Sequence, residues 1–224
     1  MQFIDLTYPI EHGMSHFTAP WHPDVSVEKM GSIEKVGRET RKICLGTHSG
    51  THMDAPLHFI PGGNSIDQIP LETLIGNVTI LRFPDLAENG CLTRKMLEMY
   101  PLSQRIIIVF GWGRNWNTDS YYKGYPFISM DAAKYLVEKG VQLVGMDTPS
   151  PDDSRIQIGN PDLNVEEDSP VHKFFLSRGV ILVEYLANLD AIRDPAGWNL
   201  IVMPLKIIGA DGSPVRACIF KENP

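Results

Sequence analysis

Ser129-Met130-Asp131-Ala132-Ala133-Lys134-Tyr135-Leu136-Val137-Glu138-Lys139-Gly140-Val141-Gln142-Leu143-Val144-Gly145-Met146 is the stretch that decides the fold class. Ser129 is a residue that caps a helix through its hydroxyl, and Gly140 is a residue at which helices stop, so 129–140 reads as a helix. The apolar run 141–146 follows at once and reads as a buried strand. Working outward, 104–110 is a second continuous apolar run of the same kind. Thr93 is placed to cap a helix running to Tyr100. Ser169-Pro170 opens a further helix, with proline at a position where its missing N–H costs nothing. That helix ends near Gly179, and 180–183 is again a strand. Toward the termini the strands dominate, at 2–8, 41–48, 77–83, 200–208 and 215–220, while 13–24 is an irregular loop rich in aromatics. Strands early and late with helix–strand units between them imply an α/β or α+β chain with a mixed sheet, or a barrel-like β core flanked by helices.

The chain has 224 residues and a net charge of −7. That length is enough for a real core, and with no linker, repeat or low-complexity tract the expectation is one domain spanning 1–224. The acidic balance, without a dense Lys/Arg cluster, argues against a nucleic-acid or anionic-membrane partner. Cys44, Cys91 and Cys218 are few, odd in number and far apart, so they form no metal or redox motif, and Cys44 and Cys218 read as small buried hydrophobes. There is no signal-peptide pattern at the start and no run long enough to span a membrane, so a cytoplasmic location is expected.

Chemistry concentrates in His48-Ser49-Gly50-Thr51-His52-Met53-Asp54-Ala55-Pro56-Leu57-His58, which holds three of the seven histidines and a carboxylate. All four titratable groups occupy even positions, so an extended chain would aim them the same way. A helical reading, with His48 and His52 one turn apart, suffers from Gly46, Gly50 and Pro56 and lacks the glutamate of the zinc-protease motif. A strand entering a glycine-kinked loop fits better. The set of imidazole and carboxylate donors points to a metal site. Two further segments are candidates. One is Asp147, at the end of the apolar strand, for which a capped turn is at least as good a reading as a site. The other pairs His172 on a helix with Glu184 at the end of the next strand, and each alone reads as an ordinary surface residue.

With these residues in view, the chain resembles the cyclase-like metal-dependent hydrolase family, which includes bacterial kynurenine formamidases and isatin hydrolase relatives. The 48–58 run matches the family's His-x-Gly-Thr-His-x-Asp-x-Pro-x-His signature at each fixed position, and the likeness extends through 139–150, His172, Gly179-Val180 and Glu184. The resemblance implies a swivelling β/β/α-like fold and metal ligation by His48, His52 and Asp54. It implies His58 as proton donor and acceptor, with His172 and Glu184 completing a two-metal site. It also implies a homodimer or homotetramer. One or two ions of Zn²⁺, or Mn²⁺, suit this nitrogen and oxygen donor set without strong selection between them.

The activity implied is hydrolysis of a C–N bond in a small amide, with His58 returning a proton to the leaving nitrogen. His58 also reads as a residue that orients Asp54. Substrate contacts are expected from Phe17, Thr18 and Trp21, although Thr18 stands where formamidases of this type carry an aromatic residue. Trp112 and Trp116 read equally as substrate contacts or as packing and interface residues. A cyclic-amide, isatin-like hydrolase, a metal-dependent cyclase or lyase without net hydrolysis, and a metal-carrying binding protein without catalysis are the alternatives.

Overall fold

The computed structural model describes residues 1–156 and 167–222. Thirteen strands occur among them: β1 (Gln2–Asp5), β2 (Ser26–Gly31), β3 (Thr40–Cys44), β4 (His52–Asp54), β5 (Ile75–Asn77), β6 (Thr79–Arg82), β7 (Cys91–Leu92), β8 (Arg105–Val109), β9 (Phe127–Ile128), β10 (Leu143–Met146), β11 (Ile181–Glu184), β12 (Asn199–Pro204) and β13 (Gly212–Lys221). The helices are α1 (Ile33–Val36), α2 (Leu71–Leu74), α3 (Arg94–Leu97), α4 (Met130–Glu138) and α5 (Pro170–Ser177). The first three are single turns.

Nine strands form one sheet in the order β5-β12-β13-β4-β11-β10-β8-β6, with β1 also pairing β13. One half is parallel, β6, β8, β10 and β11, and the other is antiparallel. The two ends of this path, β5 and β6, are separated in the chain by Val78 alone. The sheet therefore curls until its ends meet in sequence, giving a nearly closed, barrel-like mixed sheet.

Alternation along the strands separates two cores. Ile107, Val109, Leu143, Ile181 and Val183 point into the barrel with Leu200, Val202, Ala217 and Ile219 from the antiparallel half. Ile106, Ile108, Val144, Met146 and Leu182 point outward, under the helices. These strands are buried on both faces, so their sequences read as unbroken apolar runs rather than alternating ones. Ser129 accepts a hydrogen bond from the Ala132 amide at 3.2 Å and starts α4, whose Ala132, Ala133 and Leu136 lie on the sheet. In α5, Val171, His172, Phe175 and Leu176 form the buried stripe. Full burial of a side chain such as Phe175 contributes about 1.5–3 kcal/mol. His172 is on this stripe, so it faces the sheet and not solvent.

Several sequence expectations are corrected at element ends. The helix after Thr93 is one turn, and the Thr93 hydroxyl makes no capping bond. The strand expected over 41–48 stops at Cys44, and that over 200–208 stops at Pro204. Cys44 is exposed and Cys218 only partly buried. Strand β3 belongs to a separate two-stranded hairpin with β2, away from the main sheet, so nothing covers Cys44. No helix of the described residues is long and apolar enough to cross a membrane.

Candidate metal centre

The site lies on the outer face of the sheet, where its parallel half gives way to its antiparallel half. Strand β4 sits between β11 and β13, and Glu184 pairs with His52, Val183 with Met53 and Leu182 with Asp54. Met53 and Val183 go to the barrel core. By strict alternation His52, Asp54 and Glu184 then share the opposite face, where α5 brings His172 over them.

The other two histidines arrive by different means. Only His52–Asp54 is extended. The chain before it turns at Gly50, whose φ of +62° is a conformation side chains disfavour. This turn carries His48 back over Asp54. After the strand, Pro56–His58 forms a 3₁₀ turn begun by proline, which swings His58 to the same spot. The ring centroids of His48 and His58 are 3.9 Å apart. The even spacing thus matters for two of the four residues, while turns place the others.

Six side chains, His48, His52, Asp54, His58, His172 and Glu184, converge within a narrow space. His52 Nε2 is 3.3 Å from Asp54 Oδ1 and 3.4 Å from Glu184 Oε2. His172 Nε2 is 3.4 Å from Asp54 Oδ2 and 3.0 Å from Glu184 Oε1. Yet Asp54 Oδ2 and Glu184 Oε1 are buried without an aligned hydrogen-bond partner. Close approach without alignment is costly for buried anionic oxygens unless a cation receives their lone pairs. The outer nitrogens are held in the matching tautomer. His52 Nδ1 donates to the Gly50 carbonyl at 2.8 Å, and His172 Nδ1 pairs with Asp152 Oδ2 at 2.7 Å. Both Nε2 atoms are left to face the centre, as ligand imidazoles are. Asp152 also accepts the amides of Val171 and His172, so the first turn of α5 and the ring are fixed by one carboxylate. Ligand atoms of His48, Asp54 and His58 lie within 4.8 Å of one another, as do those of His52, Asp54 and Glu184, with Asp54 common to both sets. The residues fit one or two divalent cations.

Electrostatics follow from this crowding. Burial alone would lower the His48 pKa, but Asp54 and Asp211 on its two nitrogens, each at 2.8 Å, raise it to about 10. Burial also opposes protonation of His172, and Glu184, Asp152 and Asp54 overcome it. Burial and the neighbouring Asp54 charge push Glu184 up, whereas His48 and His172 hold Asp54 well below the usual carboxylate range against its burial. Burial lowers His58, partly countered by Asp211.

Asp211 is a site residue that the sequence reading passes over. It sits in Gly209-Ala210-Asp211-Gly212, which reads only as a hairpin turn. Its carbonyl accepts the Ala55 amide at 2.9 Å, and its carboxylate takes His48 Nε2 and, at 3.2 Å, His58 Nδ1. A Cβ at Gly212 would come within 2.8 Å of His48 Cε1, so glycine is needed for this approach. Asp152, Phe59, Tyr185 and His22 likewise carry no signal in the sequence. No local pattern marks them: Phe59 and Tyr185 merely follow His58 and Glu184 in the chain, and Asp152 and His22 reach the site from separate segments.

A cavity of about 380 Å³ opens onto the cluster. Its far wall is aromatic, with Phe17, Trp21, His22, Phe59 and Tyr185. Thr18 is exposed and is not among the lining residues, so the expected contact from it is not seen, whereas Phe17 and Trp21 do line the cavity. Trp112 is buried, donating to the Tyr121 carbonyl, and Trp116 stacks on Tyr8 at 4.0 Å, so both serve packing and neither lines this cavity. Asp147 accepts the amides of Phe110 and Trp112 and ties down the loop after β8, with burial raising its pKa to about 6.

Comparisons with known proteins place the chain in a family. Residues 4–153 match the family model described as putative cyclase. The chain belongs to that family. It is 30% identical to a kynurenine formamidase of Bacillus mycoides over 219 residues, 97% of each chain. It superposes on isatin hydrolase A from Labrenzia aggregata with a TM-score of 0.83 at 23% identity, covering 98% of this chain and 93% of that one, a likeness of fold. A potential metal-dependent hydrolase with cyclase activity matches at 26% identity and a TM-score of 0.70, over 100% of this chain and 99% of the other.

Proposed function

We propose that the chain is a metal-dependent amidohydrolase that cleaves the C–N bond of a small aromatic amide. The observation that carries this reading is the pair of buried, unaligned oxygens of Asp54 and Glu184 among His48, His52 and His172 at the floor of an aromatic cavity. These five residues would hold one or two ions of zinc or manganese, with Asp54 shared. When bound, such an ion supplies Lewis acidity toward a carbonyl and lowers the pKa of water toward neutrality. The names of the related formamidase and hydrolases support the same class of reaction.

The chain's own residues do the rest. His58 lines the cavity and is partly open to it. Burial favours its neutral form, able to accept a proton from an attacking water and pass it to the departing nitrogen. Asp211 orients the ring through Nδ1. The aromatic wall holds the substrate ring and excludes water from the reacting centre. The exposed apolar side chains Met30 and Ile43 on the β2–β3 hairpin support a homodimer or homotetramer, which light scattering in solution tests.

The deciding experiment is elemental analysis of protein purified without chelator or immobilised metal, followed by turnover of N-formylkynurenine and isatin with product analysis. Metal at one or two ions per chain and products that have taken up water are expected. No ion bound even after addition of zinc or manganese would overturn the reading. Turnover without uptake of water would replace it with a cyclase or lyase.

A further inference from the structure

The mouth of the barrel carries a second hollow, which shares no lining residue with the metal centre. It lies where the four parallel strands end. Arg82 is the last residue of β6 and Val109 the last of β8, Asp147 follows β10 directly, and Leu186 comes two residues after β11. The carboxyl ends of parallel strands and the mouths of β-barrels are places where ligand sites recur. At about 370 Å³ the hollow is nearly as large as the cavity over the metal centre, and it falls among the sizes that small organic ligands occupy.

Its floor is apolar and its rim is cationic. Val109, Leu186 and Leu189 of the barrel core form the floor. Two arginines line the hollow above them. Arg82 donates through Nη2 to the carbonyls of Leu189 and Ile192, which holds the loop after β11. Its Nε and Nη1 have no partner among the described residues, yet neither is buried. Arg114 is exposed and makes no hydrogen bond or ion pair among the described residues. Counter-charge is limited. Both oxygens of Asp147 are taken by the amides of Phe110 and Trp112 at 2.9 and 2.8 Å, and the exposed Asp190 pairs with neither arginine. Donor capacity is thus left over on two guanidiniums around one hollow.

These features choose the ligand. A guanidinium presents planar, paired N–H groups that match a carboxylate. Inorganic phosphate would satisfy the rim but leave the apolar floor uncovered. A purely apolar molecule would cover the floor but leave the arginines unmatched. A ligand with one acid group and a hydrocarbon body satisfies both. We propose that this hollow at the barrel mouth is a binding site for a small organic carboxylate, whose acid group rests on Arg82 and Arg114 and whose apolar body covers Val109, Leu186 and Leu189. The site is separate from the metal centre and does not depend on the reaction assigned there.

The test is calorimetry on the metal-loaded protein with benzoate, hexanoate, benzamide and inorganic phosphate. Benzoate or hexanoate binds, and benzamide, which has the shape of benzoate without its charge, binds at least about tenfold more weakly, as loss of a charge-assisted hydrogen bond requires. Arg114→Gln removes a side chain that the fold does not use, and it weakens the same binding event about tenfold. Arg114→Lys, which keeps the charge without the fork, restores part of it. Where the metal centre also takes a carboxylate, two events are seen and Arg114→Gln weakens one of them. Failure of both organic acids to bind overturns the proposal. So does binding undiminished in Arg114→Gln, or benzamide binding as tightly as benzoate. Phosphate binding as tightly as the organic acids also overturns it, since the apolar floor would then contribute nothing. Turnover plays no part in this readout, so failure of the hydrolase reading leaves the result intact.

Discussion

The two walls of the cavity are built by opposite means. The floor is sheet: β4 and β11 are hydrogen-bonded neighbours, their register sets His52 against Glu184, and α5 fixes His172 from above through Asp152. The facing wall is loop, with Phe17, Trp21 and His22 held by few bonds, and Trp21 is 60% exposed. Ladder pairing fixes side chains to fractions of an ångström and suits converging charges. A loop tolerates replacement and suits the choice of substrate. On the proposed function, chemistry belongs to the floor and selectivity to the wall.

The sharpest way to break this contrast is Asp54→Asn. It removes the carboxylate shared by both ligand sets, so elemental analysis should find the bound metal lost and turnover reduced to the level of chelated protein. Retained metal with retained activity would show that the floor is not the reacting centre. Next in size is His58→Ala, for which the loss of a proton carrier predicts a fall of roughly 10²–10⁴ in kcat with metal content intact. Loss of metal instead would move His58 among the ligands, as its place beside His48 and Asp54 also permits. Asp152→Asn and Asp211→Asn act one bond further out. Each should cost about 10–100-fold, in metal affinity for the first and in kcat for the second. On the loop wall, Phe17→Ala should raise KM by about tenfold and leave the melting temperature within a few degrees, as expected for a side chain outside both cores.

The smallest effect is a pH dependence confined to metal-free protein. The His48 pKa rises from an ordinary 6.5 to about 10 in the fold. A raised pKa means that the folded state holds the proton longer than the unfolded one. The stabilisation is complete below pH 6.5 and is lost as pH climbs to about 10. Melting temperature of chelator-treated protein should fall by a few degrees across that window. Metal-loaded protein should not follow it, because bound metal requires the neutral ring and its affinity rises with pH. Parallel curves for the two forms would show that His48 is not a ligand.

The centre of the fold was legible from the chain because its signals are local. Ser129 caps α4, Pro170 opens α5, and the apolar runs before Phe110 and Met146 are strands buried on both faces. Elements whose ends depend on partners were not legible. Strand β3 stops at Cys44 because the chain must turn to bring His48 back, and β12 stops at Pro204 where the loop toward Asp211 begins. The candidate site divides the same way. His48, His52, Asp54 and His58 stand out through their density in eleven residues, and His172 and Glu184 through a resemblance carried along the chain.

The sequence by itself determined the donor set, nitrogen and oxygen from histidine and acidic residues, since ligand chemistry is a property of side-chain type. It also determined the helix–strand units, since capping and apolar runs act within a few residues. Tertiary structure alone decided that the sheet curls until β5 and β6 meet across Val78. It alone brought in Asp211 from the far end of the chain, Asp152 from beneath α5 and His22 from the loop wall. Those three owe their place to pairing and packing between segments far apart in sequence, and no local pattern encodes a meeting of that kind.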